Sequence, residues 1–241
     1  MRRRRIWIPA ILLGILLLCL AAFFLYTGNY YHADPAADKA LVSDSDVSVS
    51  RESYGWRFDG PSEDSALIFY PGGKVEASAY APLLHRLAAG GMDAMLVEMP
   101  FRLAVFGTGK AENVIEAHDY RHWYIGGHSL GGVMAADYAA DHEDAVEGVV
   151  LLASYPSKKL ADPLTEISIY GSHDRVLNMT SMEKARGFAS SDFREHVIRG
   201  GNHAQFGNYG TQRGDGTAKI SADAQQQETV RLLLQDVGKT E

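Results

Sequence analysis

The stretch "WYIGGHSLGGVMAADYAAD" (residues 123–141) sets one serine, Ser129, between an apolar run and the start of a helical pattern, with Gly126, Gly127, Gly131 and Gly132 around it. A short apolar run that ends in glycines and passes straight into helical periodicity reads as strand, sharp turn, helix. Within it, "GHSLG" (127–131) fits G-x-S-x-G. In that arrangement the turn holds the serine in a strained backbone conformation, and the two flanking glycines leave room for the crossing strand and helix. The Ser129 hydroxyl is then lifted clear of the sheet. The Leu130 amide faces the oxygen that gains charge when the serine attacks a carbonyl.

G-x-S-x-G alone arises often by chance, so its surroundings decide the reading. Further short apolar runs stand at "SALIFY" (65–70), "DAMLVEMP" (93–100), "AVEGVVLLAS" (145–154), "EISIYGS" (166–172) and "REHVIRG" (194–200). Helix-like segments lie between them, at 76–91, 110–120, 130–142 and 178–190, and a last one closes the chain at 221–239. Strands separated by helical connections predict an α/β fold, a mostly parallel sheet with helices on both faces. Before it, "VSVSRESYGWRFDG" (47–60) alternates with period two and predicts one or two leading antiparallel strands.

In such sheets, ligands bind beyond the carboxyl ends of the strands. Three chemically matched residues fall there: Ser129 after the run at 122–129, Asp174 after 166–172, and His203 after 194–200. A serine hydroxyl is a weak nucleophile at neutral pH and needs a base. The base in turn needs a carboxylate that fixes its tautomer and stabilises its protonated form. The second oxyanion donor is expected in "FYPGGKV" (69–75), from the Gly73 amide, with Lys74 next. Asp162 is the reserve acid. Among the other histidines, His128 is expected to pack inside the turn, His196 lies in a strand pattern, His85, His118 and His142 lie on helical segments, and His173 is a surface neighbour of Asp174. No H-x-x-x-H or paired-carboxylate spacing suggests a metal, and no cofactor is implied. "GGHSLGG" lacks the G-K-[ST] ending of a phosphate loop.

The N-terminus has a different character. Four arginines, Arg2–Arg5, precede an uncharged run from Ile6 to Tyr26. As a helix, about 21 residues span roughly 31 Å, the thickness of a bilayer core. Residues 1–26 are therefore expected to be a cytoplasmic tip and a transmembrane signal anchor, with the positive flank inside and the rest of the chain outside the cytoplasm. A cleaved signal peptide is the main rival, although no clean A-x-A-like site follows, and a hairpin buried in the globule is a third reading. Cys19, the only cysteine, lies within the run and reads as a lipid-facing residue; Leu18 before it argues against acylation. Residues 27–46, polar and small, are expected to be a linker, and 47–241 the catalytic domain. Setting the four arginines aside leaves 19 basic against 30 acidic residues, a surface unsuited to nucleic acid.

With those residues in hand, the chain from about 65 to 237 resembles the α/β-hydrolase superfamily: G-x-S-x-G between strand and helix, then acid, then histidine. "YPGGKVEASAYAPLLHRLAAGG", "MPFRLAVF", "GGHSLGG" and "GGNHAQFGNYG" are similar to a small bacterial group described as dienelactone-hydrolase-like. The resemblance implies a lidless fold with Ser129, Asp174 and His203 as the triad. Dienelactone hydrolases proper use a cysteine nucleophile, so lactone specificity does not carry over. The connection "YPSKKLADPLT" (155–165) is too short for a helical lid, and Met99, Phe101, Leu103 and Phe106 are candidates to line a small acyl pocket, which favours short acyl groups. The expectation is a membrane-anchored serine hydrolase (a serine esterase) acting on a small ester-like substrate through an acyl-enzyme. An acyltransferase or thioesterase with the same triad, and an inactive tethered binding module, remain alternatives. Oligomeric state is open.

Overall fold

The structure is a computed structural model that describes residues 2–62, 64–162 and 164–238, with side chains from residue 8 onward. It divides into two units, residues 1–30 and 31–241. The first holds helix α1 (Arg2–Gly28). Its segment Ile8–Gly28, of 21 residues, contains an 18-residue window with a mean hydropathy of 2.9 and is long and apolar enough to cross a membrane. The side chains of Arg2–Arg5, on which the expected orientation rests, lie outside the described residues.

The second unit is built on one eight-stranded sheet in the order β1-β2-β4-β3-β5-β6-β7-β8. Strands β1 (Ser48–Glu52) and β2 (Gly55–Asp59) pair antiparallel and β2 pairs antiparallel with β4 (Asp93–Val97). The remaining strands, β3 (Ser65–Tyr70), β5 (His122–His128), β6 (Gly148–Leu152), β7 (Thr165–Gly171) and β8 (Asp192–Ile198), join β4 in a parallel array. Each apolar run of the sequence is one parallel strand.

The runs of β3 to β7 are continuous, not alternating, because both faces of the sheet are covered there, whereas β8 at the edge is mostly half-buried. Leu67 and Phe69 of β3 enter one core with Leu84 and Leu87 of α3 (Ala81–Ala89) and Leu233 of α7 (Ala222–Val237). Ala66, Ile68 and Tyr70 enter the other, with Val114 of α4 (Lys110–Ala117) and Ala135, Ala136 and Tyr138 of α5 (Leu130–Asp141). Full burial of each large side chain contributes about 1.5–3 kcal/mol, so the pattern favours one register strongly. Helix α6 (Met179–Ala185) follows β7. Between Leu152 and Thr165 no helix occurs among the described residues, as the short connection implied.

The segment expected to be a linker is ordered in part. Helix α1 runs to Gly28, and residues 31–41 belong to the second unit. Asp34 caps a short helix, α2 (Pro35–Ala40), by accepting from the Ala36 amide, and Ala37 is fully buried. Tyr31, Ala33, Ala40 and Leu41 pack on the core. Too short for a helical period to register, the segment is held by apolar contacts with residues far along the chain.

Strand order also fixes where a site can form. The chain lays β4 on one side of β3 and then crosses to start β5 on the other, so the loops leaving β3 and β5 diverge at a switch point, with Tyr70 and Gly127 opposite each other in the ladder. A crevice opens there at the carboxyl ends.

Candidate active site

Ser129 sits between β5 and α5 at φ 53°, ψ −122°. A non-glycine residue held there costs about 1–3 kcal/mol, which surrounding bonds must offset. The Ser129 amide donates to the Leu152 carbonyl (2.9 Å), and its own carbonyl accepts from the Val133 amide (3.2 Å) and the Ser154 hydroxyl (2.8 Å). The flanking glycines are required by contact. A Cβ on Gly127 would lie 2.5 Å from the Tyr70 carbonyl oxygen, and one on Gly131 only 2.1 Å from the same atom. Although it occupies the cap position of α5, the Ser129 side chain makes no capping bond. Its hydroxyl makes no hydrogen bond among the described residues.

Asp174 and His203 are brought together from loops 29 residues apart in sequence. His203 Nδ1 lies 2.8 Å from Asp174 Oδ2, and both side chains are 1% exposed. Asp174 Oδ1 accepts from the Val176 and Leu177 amides, both at 2.8 Å. An ionised carboxylate only accepts, so His203 carries its proton on Nδ1 and presents a lone pair at Nε2. That Nε2 is buried and meets no partner among the described residues. His203 lines, with Ser129, Leu130, Ser154, Tyr155, Val176 and Leu177, a pocket of about 230 Å³.

An accounting of amides leaves two candidate oxyanion donors. Leu130 opens α5 and has no helical acceptor for its N–H. In the loop after β3, the Gly72 amide donates to Tyr80 Oη (3.1 Å) and the Lys74 amide to the Arg102 carbonyl (2.8 Å). The Gly73 amide between them donates to nothing among the described residues. A Cβ on Gly73 would lie 3.0 Å from Leu130 Cδ2, so the two residues that carry the candidate donors are in close contact.

His128 does pack inside the turn, but in a specific way. Its ring lies 4.5 Å from that of His203 and its Nδ1 2.7 Å from Tyr80 Oη. Because that Oη accepts from Gly72, its hydrogen points to His128. Burial pushes the His128 imidazole well below its ordinary pKa, and the neighbouring His203 adds to this, so the ring is neutral.

Other candidates fall elsewhere. Asp162 accepts from the Ser191 amide and lies in a separate hollow with Glu143 and Asp144. His118 meets Tyr54, His142 stacks on Tyr138, and His196 pairs with Asp236. Met99 and Phe101, expected in an acyl pocket, line a different hollow, with Glu76, Glu98 and Arg102. Phe101 and Arg102 both take positive φ in this segment.

Three supporting residues had no sequence signal strong enough to single them out. Gln225 of α7, fully buried, brackets Asn202 by accepting from its amide and donating to its carbonyl (2.9 and 2.8 Å). Asp215 accepts from the Ala204 amide beside His203 and from the Arg175 amide beside Asp174. Tyr80 ties the Gly72 loop to His128. A glutamine on the buried side of the α7 pattern was the one available hint.

Comparison with known proteins agrees with this architecture. Residues 66–227 match the model of the Alpha/beta hydrolase family. No curated protein matches the sequence. Among solved structures, a predicted CIB-like hydrolase from Thermoplasma acidophilum is 14% identical, with a TM-score of 0.59 over 79% of this chain and 98% of that one. The monoacylglycerol lipase of Paleococcus ferrophilus is 13% identical, with a TM-score of 0.58 over 79% and 99%. Alpha/beta hydrolase domain-containing protein 10 from mouse is 10% identical, with a TM-score of 0.57 over 82% and 100%. At these identities the likeness speaks to the fold alone. With a strand-to-helix serine turn at a topological switch point, and the family model spanning most of the chain, this protein belongs to the alpha/beta hydrolase family.

Proposed function

We propose that the chain is a membrane-anchored serine hydrolase that cleaves a carboxylic ester or related acyl bond. The observation that carries this reading is the buried Asp174–His203 pair, with His203 lining the same pocket as Ser129 and its Nε2 without a partner among the described residues. His203 Nε2 takes the proton of the Ser129 hydroxyl as its oxygen attacks the substrate carbonyl. The negative oxygen of the tetrahedral intermediate is held by the Leu130 and Gly73 amides. His203 then gives the proton to the departing alkoxide, leaving an acyl group on Ser129. Water, deprotonated by the same Nε2, attacks that acyl group and releases the acid. Asp174 holds the ring and stabilises its protonated form throughout.

The anchor rests on α1, whose apolar segment has spanning length, and its orientation on the positive flank at Arg2–Arg5. A charged, membrane-impermeant fluorophosphonate tests both parts at once. Its P–F bond breaks as a Ser129 O–P bond forms and fluoride leaves. Labelling of intact cells at the Ser129 peptide, lost in Ser129→Ala, is the expected result. Labelling that persists in Ser129→Ala removes the nucleophile assignment, and labelling only after the cells are opened reverses the orientation.

A further inference from the structure

The loop that supplies the Gly73 amide begins with two glycines, the softest backbone available. A useful oxyanion donor must stay within a few tenths of an ångström of its working position. Rigidity must therefore come from the residues that flank it. Upstream, Tyr80 holds the Gly72 amide. Downstream, Lys74 sits at φ 61°, a conformation that persists in a non-glycine residue only under restraint.

That restraint has two sides. The Lys74 amide donates to the Arg102 carbonyl, while the Lys74 carbonyl accepts from the Tyr31 amide, both at 2.8 Å. Tyr31 forms an isolated parallel bridge with Val75, closed by the Glu76 amide donating to the Tyr31 carbonyl (2.9 Å). Ala33 adds an amide bond to Glu76 Oε2 (3.1 Å). Tyr31 is itself well secured, because its Oη accepts from the Arg213 amide and its ring lies 5.5 Å from that of Tyr209. Tyr209 continues to Tyr80 and His128, with ring centres 6.4 Å from each.

We infer that Tyr31–Ala33, the first residues of the second unit, form a clasp that positions the Gly73 amide for oxyanion binding. Catalytic competence then depends on a segment that composition alone marks as a tether. The clasp rests on the reading of Ser129 as nucleophile and Gly73 as donor. It touches neither substrate nor reacting atoms, so its loss leaves ground-state binding in place and weakens a contact made in the transition state. Outright loss of one such donor costs on the order of 10²–10³ in kcat, and a loosened donor costs less, about 10- to 100-fold.

The test uses the full chain in detergent micelles or bilayers. Tyr31→Pro removes the N–H that donates to Lys74. Glu76→Pro removes the opposite bond of the bridge, at a residue whose φ of −62° already suits proline. Tyr31→Phe keeps both backbone bonds of the bridge and the ring against Tyr209, gives up only the Arg213 contact at Oη, and serves as the control. The expected result is a kcat about 10- to 100-fold lower in both proline variants, KM within about threefold, fluorophosphonate labelling slowed in parallel, and Tyr31→Phe near wild type. Should Tyr31→Pro fail to fold, Glu76→Pro alone decides. Wild-type kcat in a folded proline variant, or a change confined to KM, overturns the clasp. Ser129→Ala, run alongside, separates the two readings: if it stays active the hydrolase reading itself fails, and if it is inactive while the proline variants match wild type, only the clasp fails.

Discussion

Strand β7 carries a buried carboxylate near each end, and the two are treated in opposite ways. Glu166, its second residue, is 1% exposed, and its Oε2 accepts a single backbone amide, from Ser190 at 3.2 Å. Asp174, just past the other end, has a side chain equally buried, but accepts two backbone amides and faces the His203 ring. Burial without enough donors pushes the Glu166 carboxyl up to about 7. Burial is the same and the donor count differs. One end of the strand stores a near-neutral acid, while the other presents a carboxylate organised to hold a histidine.

Asp174→Asn is the strongest way to break that contrast. Replacing the carboxylate by an amide removes the acceptor that fixes the proton on His203 Nδ1, and in a triad this costs on the order of 10³–10⁴ in kcat with KM little changed. Steady-state kinetics on p-nitrophenyl butyrate checks it. Activity within tenfold of wild type would mean that Asp174 is only a loop cap.

Glu166→Gln sharpens the same contrast with a smaller effect and no change in activity. The native Glu166 carboxyl, raised from 4.5 to about 7, keeps a proton that the unfolded chain loses. Its contribution to stability is therefore fully present below about pH 4.5 and lost as pH rises through about 7. Glutamine stays neutral and retains an oxygen for the Ser190 amide. Denaturant unfolding should show no gap between the two proteins at pH 4 and a gain for Glu166→Gln on the order of 3 kcal/mol at pH 8, since each pKa unit is worth about 1.4 kcal/mol. Asp93, which burial pushes to about 6, is present in both proteins and cancels in the difference. An equal gain at both values of pH would place the effect in packing instead of charge.

The parts of the molecule legible in its sequence are those fixed by local pattern. Six apolar runs became six parallel strands; five of them, β3 to β7, are buried on both faces, and the sixth, β8, lies at the sheet's edge and is mostly half-buried. Ser129, Asp174 and His203 could be picked out because each follows a strand, where glycine and polar residues interrupt the pattern. What sequence did not reveal depends on partners far away. Asp215 and Gln225 look like ordinary turn and helix residues until the loops after β7 and β8 are laid against them. Tyr31 reads as part of a polar tether, since nothing near it in sequence foretells Lys74 or Tyr209. Even the Phe101 segment was read by its apolar content, while two of its residues take positive φ.

The central claim is that Ser129 and His203 work as one chemical unit, and a double-mutant cycle on kcat/KM for p-nitrophenyl butyrate tests it most directly. Ser129→Ala and His203→Ala should each remove on the order of 10⁴–10⁶ of the rate, and the double variant should fall by less than about another tenfold. Single variants that stay within tenfold of wild type, or losses that multiply in the double variant, would contradict it.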